Sequence, residues 1–250
     1  MPNSTTIRTL SLSFNLPIYT RQIPQWRGAF IEMAGWQDDR FHNHRGGDDA
    51  LRYRYPLIQY RVRRRKASLF AINEGVEALQ QTLAANDWQI RWQGATRQLM
   101  VEDLRMWEHE LRLTETPQTY QLYKYLALNN ENFERWRQAD GLAERIHLLE
   151  RVLRGHLLSG LWGLGWTGEE EIKVRIQKMR KTQYLPVEGA GQLAFDLVYT
   201  TNVSLPPQIA LGRVVSHGFG RQVPAGKGKR NDARPATRAT EGVQVDAVGK

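Results

Sequence analysis

The stretch LRYRYPLIQYRVRRRKASLFAINEGVEALQQTLAA, residues 51–85, decides the fold. Its segments 51–62 and 67–72 are rich in Tyr, Ile and Val and read as neighbouring strands. Between them the basic run Arg61, Arg63, Arg64, Arg65 and Lys66 is expected at a hairpin turn. Asn73 then caps a helix over 74–85, on which Val76, Leu79 and Leu83 recur at helical spacing. Two strands and a helix are the middle of a larger unit, and the flanks supply the rest. Residues 7–14 alternate as a half-buried strand, with Ile7, Leu10, Leu12 and Phe14 largely on one side. Residues 26–36 make an amphipathic helix whose Phe30, Ile31 and Met33 cover a core. A polar loop follows over 37–49, closed by Gly46 and Gly47, and strand sequence returns at 88–92 and 99–104. The order is β-α-β-β-α-β, a ferredoxin-like (RRM-like) unit of the α+β class.

Beyond Pro117 a second round begins. Residues 120–128 read as strand and 131–161 as helix, with Leu142, Ile146, Leu149, Leu153 and Leu157 in a steady repeat ended by Gly163 and Gly165. Ile172, Val174 and Ile176 alternate with Lys173, Arg175 and Gln177, a strand with one basic face whose hairpin partner is 193–203. Pro206 and Pro207 lead into 209–223, and no second helix is evident. The expectation is a tandem of ferredoxin-like domains, 1–112 and 118–223, the second degenerate. From 224 to 250 the composition turns to Gly, Lys, Arg, Thr and Ala, too poor in apolar side chains to offset the entropy of ordering, and a disordered basic tail is expected.

The 250 residues include no cysteine, which excludes a disulfide scaffold and thiolate zinc sites and suits a reducing cytoplasm. No apolar run has the length of a secretory core or a membrane span. The net charge is +9, and seven Lys/Arg against three acids from Arg221 onward place +4 of it at that end. An anionic partner fits, although charge alone also fits an ordinary soluble protein.

The densest chemistry is Phe41-His42-Asn43-His44-Arg45. In an extended segment, residues two apart project to the same side, so both imidazoles can face one substrate. Histidine titrates near 6.5, so one ring can be neutral and its neighbour charged, the states paired base and acid catalysis requires. The letters suggest the metal nucleases named His-Asn-His, but those carry the residues dispersed, and no second ligand set is evident. A His-x-His metal site with Asp48 or Asp49, or two exposed histidines without a role, are the alternatives. The 61–66 run and a second patch, Lys173, Arg175, Lys178, Arg180 and Lys181, are candidate phosphate contacts; guarded strand edges are the bland reading of both. The segment 212–220 carries Gly212, Gly218, Phe219 and Gly220, whose backbone could approach a phosphate or a neighbouring strand, and His217 beside them is a third candidate histidine. His147 and His156 read as packing or capping residues, and Trp26, Trp36, Trp88, Trp92 and Trp162 as core or rim rather than stacking platforms.

Four stretches in order carry a resemblance: Phe41 to His44, Arg54-Tyr55-Pro56-Leu57-Ile58-Gln59-Tyr60, Gly155-His156-Leu157-Leu158-Ser159 leading to Gly163-Leu164-Gly165-Trp166, and 209–220. Together they resemble the CRISPR-associated repeat-RNA endoribonucleases of the RAMP superfamily, in the branch with two nearby histidines. The resemblance implies a repeat RNA substrate, stem-loop or unstructured, cut without metal or cofactor through 2′-hydroxyl attack. His42 and His44 would be its acid–base pair, and Arg45 a cation near the phosphate. The same superfamily supplies non-catalytic RNA-binding subunits of CRISPR effector complexes, which is the alternative. Association with effector subunits and the oligomeric state, a homodimer included, stay open. Ala210 and Val214 stand where the family's terminal loop is richer in glycine, which leaves open whether this loop cradles phosphate or packs.

Overall fold

The computed structural model describes residues 4–35, 39–42, 55–85, 87–187 and 189–225. The first half comprises β1 (Ser4–Pro17), α1 (Ile23–Ala34), α2 (Asp39–His42), β2 (Ile58–Arg63), β3 (Lys66–Ile72), α3 (Glu74–Ala85) and the short strands β4 (Gln89–Trp92) and β5 (Ala95–Gln98). Then come β6 (Val101–Tyr125), α4 (Asn130–Gln138), α5 (Gly141–Gly163), β7 (Val174–Val187), β8 (Ala190–Ser204) and β9 (Arg221–Pro224). No described helix is long and apolar enough to cross a membrane.

The expected hairpin is present. β2 and β3 pair antiparallel, and the turn residues Arg64 and Arg65 have φ of 50° and 63°, the left-handed pair that tight hairpins require and Asn-Gly usually supplies. β1 lies between β3 and β6, all antiparallel, so the first half runs β2-β3-β1-β6. That is the ferredoxin-like order: second, third, first, fourth. β3 explains its own unbroken apolar run, because Ala67, Leu69 and Ala71 enter one core while Phe70 and Ile72 enter another. A strand buried on both faces loses the alternation that marks a half-buried one.

The second half repeats the order around the far end of β6. β8 pairs with one edge of β6 over Arg112–Tyr125, β7 pairs with β8, and β9 takes the other edge over Tyr120–Tyr123. Fourth, first, third and second strands again stand side by side, with β6 serving both units. The interval 113–117 lies inside β6, where its register against β8 breaks between Leu113 and Gln118. Pro117 has no N–H for a ladder and sits in that break.

Several boundaries differ from the sequence expectation. The 131–161 helix is two helices, broken at Ala139–Asp140, with Gly141 at φ 79° and Asn129 capping α4 by accepting from the Asn132 N–H at 2.8 Å. Residues 88–92 do not join the main sheet. β4 folds onto β5 through Gln93–Gly94, whose φ values of 51° and 80° make a two-residue turn without the usual Asn-Gly signal. Leu142 is exposed rather than part of the apolar stripe, whereas Leu149, Leu153 and Leu157 are fully buried. One core fills the space among the sheet, α1 and α3, with Phe14, Trp26, Phe30 and Tyr60 at its centre. The other lies beneath α5 and is built on Tyr125, Leu153, Phe195 and Tyr199.

Candidate functional site

Tyr55 is where the two halves are fastened together. Its hydroxyl donates to the Ala210 carbonyl at 2.8 Å and accepts from the Ala210 N–H at 3.2 Å and from Gln59 Nε2 at 3.1 Å. Its ring lies on α5, where a Cβ at Gly163 would stand 2.3 Å from Tyr55 Cβ, so only glycine admits this contact. Burial raises the hydroxyl's pKa, against the pull of its hydrogen bonds and of Arg61. Gln59 and Arg61 project from the same face of β2 toward the C-terminal segment. Arg61 Nη2 donates to the Gln59 side chain and the Gln208 carbonyl, and the guanidinium stacks 4.2 Å from the Phe70 ring.

Arg61 therefore differs from the expectation of an open phosphate contact. It is 7% exposed, and its Nε and Nη1 have no hydrogen-bond partner. Burial lowers its pKa to about 9, with Tyr55 opposing and Arg221 reinforcing the shift, so it stays charged at neutral pH. The other members of the run are divided. Arg63 is bound to Asp103 and Lys66 to Glu102, both acids on β6. Asp103 stays below the usual carboxylate range because the hydrogen bonds and charges of Arg63 and Arg105 outweigh its partial burial. Arg64 and Arg65 are exposed at the turn, Arg65 stacking 5.0 Å from the Tyr19 ring.

The residue before His42 is held firmly in the fold. Phe41 is 2% exposed, its ring 5.8 Å from that of Phe30, and its carbonyl accepts from the Tyr60 hydroxyl at 3.2 Å. His42 closes α2. Its side chain, and His44, Arg45, Asp48 and Asp49 entirely, lie outside the described residues. Tyr60 also meets the glycine-rich segment, since a Cβ at Gly218 would stand 3.1 Å from the Tyr60 carbonyl oxygen. The turn Val215–His217 packs on β2 and α1 accordingly. Segment 55–60 thus touches each of the other three stretches singled out in the sequence: Phe41, α5 at Gly163, and 209–220.

Within 212–220 the glycines serve close packing. Gly212 at φ 100° would place a Cβ 2.7 Å from the Tyr125 ring, and Gly220 at φ 67° would place one 1.8 Å from the Leu211 carbonyl oxygen. Phe219 packs against Leu126, Val187 and Ala194. Val214 has φ 54° and ψ 32°, a left-handed conformation strained for a β-branched residue, at a position where the sequence reading expects glycine. Arg213 holds the segment in place, donating to the Leu128 carbonyl at 2.7 Å and to Gln192 Oε1 at 3.3 Å.

The second basic patch lies on β7, the outer strand. Lys173, just before it, and Arg175, Lys178, Arg180 and Lys181 are all exposed, and Arg175 is 3.5 Å from Glu150. His156 packs as expected: Nδ1 is 2.7 Å from the Tyr125 hydroxyl, and burial, then the charge of Arg213, lowers its pKa to about 4. His147 and Trp162 do not, and both stand exposed on α5. Gln59, Tyr60, Gln208 and Gln222 were not singled out one by one. The sequence signal of Gln59, Tyr60 and Gln222 is a polar or hydroxylated side chain in strand sequence, whereas Gln208 acts through its backbone carbonyl in a turn and has none.

Comparison with known proteins bears on the whole of this arrangement. The Cas6b N-terminal domain family matches residues 5–110 and the Cas6b C-terminal domain family residues 112–223. Protein MJ0978 of Methanocaldococcus jannaschii is 29% identical over 96 residues, 38% of this chain, which spans 64% of that relative. A crystal structure of Cas6b superimposes with a TM-score of 0.75 at 25% identity, over 88% of this chain and 100% of that one. A CRISPR RNA processing endoribonuclease Cas6b gives 0.66 at 23% identity, again over 88% and 100%. Csf5, a type IV Cas6 crRNA endonuclease, gives 0.53 at 10% identity over 88% and 99%, a likeness of fold alone.

Proposed function

This chain belongs to the Cas6b family, and on that premise we propose that it is a metal-independent endoribonuclease that cuts CRISPR repeat RNA into guide RNAs, with His42 and His44 as its proton-transfer pair. The observation that carries the reading is the anchoring of Phe41. A buried ring and a hydrogen-bonded carbonyl hold the residue before His42 against Tyr60, whose own backbone adjoins Gly218. The residue before His42 is therefore fixed where β2 meets the glycine-bearing segment of the second half, a place from which a ligand could take contacts from both.

In the chemistry we assign, a neutral imidazole takes the proton of a 2′-hydroxyl as that oxygen attacks the adjacent phosphorus. The charged imidazole gives its proton to the departing 5′-oxygen. The O2′–P bond forms, the P–O5′ bond breaks, and no water is consumed. The products are a 2′,3′-cyclic phosphate and a 5′-hydroxyl, and the two histidines end with exchanged protonation states. Arg45 is the cation that would stabilise charge on the phosphorane. Arg64, Arg65 and the exposed cations of β7 would hold the RNA backbone, and the work would take place in the cytoplasm.

Cleavage of a labelled cognate repeat RNA in excess EDTA, by the native protein and by His42→Ala and His44→Ala, tests the reading. Each substitution is expected to slow cleavage by about 10²–10⁴-fold with little loss of RNA affinity. Undiminished cleavage by both variants would remove the histidines from the mechanism. Loss of native activity in EDTA would mean a metal is needed, and tight binding without cleavage would identify a non-catalytic RNA-binding subunit.

A further inference from the structure

The outward face of α5 is built unlike its neighbours. His147, Arg151, Arg154, Leu158 and Trp162 follow at steps of three or four residues, so they form one row opposite the buried leucines. On adjacent α4, Arg135 is paired with Glu131 and Arg137 with Glu134. Arg151 and Arg154 are exposed and enter no ion pair among the described residues. Nearby carboxylates are engaged elsewhere, Glu150 with Arg175 and Glu144 with the Asp140 N–H. Trp162 closes the row, 63% exposed, at the end of α5 that adjoins Tyr55. Arg154 lines two grooves, one of about 700 Å³ shared with His147 and Arg151 and one of about 520 Å³ shared with Trp162.

We infer that this row is a binding track for single-stranded RNA, with phosphates along Arg151 and Arg154 and a base stacked on Trp162. The inference rests on the RNA-processing reading above and adds a surface which that reading does not use. Unpaired arginines and an exposed indole are the two components of single-strand recognition: charge for the backbone, and a flat apolar face that any base can cover. From His147 to Trp162 the helix rises about 22 Å, room for several nucleotides. Glu169, Glu170 and Glu171 line the groove beside Trp162. Carboxylates repel phosphate and accept from exocyclic amino groups, so a base and not the backbone occupies that end. The same three acids make a basic protein segment the competing occupant.

The test uses the full chain, a short single-stranded oligoadenylate and a duplex RNA of similar length. Arg151→Ala/Arg154→Ala is expected to weaken oligoadenylate binding and reduce its logarithmic salt slope by roughly 1.4, two single-strand phosphate contacts. Trp162→Ala is expected to weaken it about tenfold and leave the slope unchanged. Duplex binding should change less in both. An Arg105→Ala/Arg112→Ala control, which removes the same charge from positions on β6 paired with Asp103 and Glu110 and outside both grooves, should leave the oligoadenylate slope nearly as in the native protein. Unchanged affinity and slope in the first two variants would overturn the track and leave a protein partner for this face. Repeat-RNA cleavage by the same variants at saturating enzyme separates the two ideas. Cleavage retained with oligoadenylate binding intact sinks only the track, whereas a native protein that binds through the row but never cuts sinks only the nuclease.

Discussion

The two halves of the sheet share one strand order and differ in how the fourth strand is reached. In the first, α3 crosses back over the sheet and buries Val76 and Leu79, and the helix satisfies its own backbone. In the second, residues 205–220 take that course with one short helical turn, and side chains must hold the backbone: Tyr55 at Ala210, Arg61 at Gln208, and Gln222 at Pro206. A helix holds neighbouring backbones off with its side chains except where glycine interrupts them, as Gly75 of α3 does against the Leu57 carbonyl. A glycine-bearing segment has no such limit, and Gly218 accordingly comes against the Tyr60 backbone in the other half. In place of a helix, a glycine-bearing segment is what reaches across to the strand that anchors Phe41.

That contrast can be broken most directly at Gly220. A Cβ there would collide with the Leu211 carbonyl in a left-handed backbone, so Gly220→Ala should cost more than about 3 kcal/mol in a urea titration. Gly155, with open space around it on α5, should gain roughly 0.5–1 kcal/mol as alanine. Equal responses at the two positions would mean that the segment is not held as tightly as its geometry requires.

Acid should separate the halves next. His156 has its pKa lowered to about 4 in the folded state against about 6.5 unfolded. The unfolded chain then binds the extra proton between those values, so the stability from neutral His156 is complete above about 6.5 and is lost as pH falls toward 4, by up to roughly 3 kcal/mol. Hydrogen exchange across that window should show α5 and β6 near Tyr125 loosening before the β2–β3 hairpin. Replacing His156 by Gln should flatten the pH dependence, and an unaltered profile would place the acid sensitivity elsewhere.

The smallest effect sharpens the comparison from the regular half. Its hairpin turn holds two arginines in left-handed conformations. Arg64→Asn/Arg65→Gly should raise stability by about 1 kcal/mol, because those residues suit the turn. If the turn carries arginines for RNA, the same variant should bind repeat RNA more weakly. A stabler protein with unchanged RNA affinity would remove Arg64 and Arg65 from the interface.

Much of the architecture was legible because its signals are local. The strand at 7–14, the helical repeat in 74–85 and the hairpin at 61–66 each depend on residues close in sequence and lie where expected. However, β1 is not half-buried: Thr9, Ser11 and Ser13 are buried too, and Ile7 enters the core opposite Leu10, Leu12 and Phe14. The Gln93–Gly94 turn and the break before Gly141 were missed because their residues are weak versions of the usual turn and cap signals. Of the candidate site, the sequence could nominate types of side chain but not their surroundings. Arg61 and Arg64 belong to one basic run, yet alternate faces and a turn bury the first beneath Gln208 and expose the second. His147 and His156 share a helix, yet one faces solvent and the other Tyr125.

By itself, then, the sequence determined element types, the repeated strand order and the chemistry its side chains could offer, since these follow from periodicity and residue type. The tertiary structure alone decided that 55–60 would join three distant stretches, which cations of the basic run would be paired with β6, and that the glycines at 212 and 220 serve packing. Those outcomes depend on which face of a strand meets which partner many residues away, and no local rule along the chain contains that pairing.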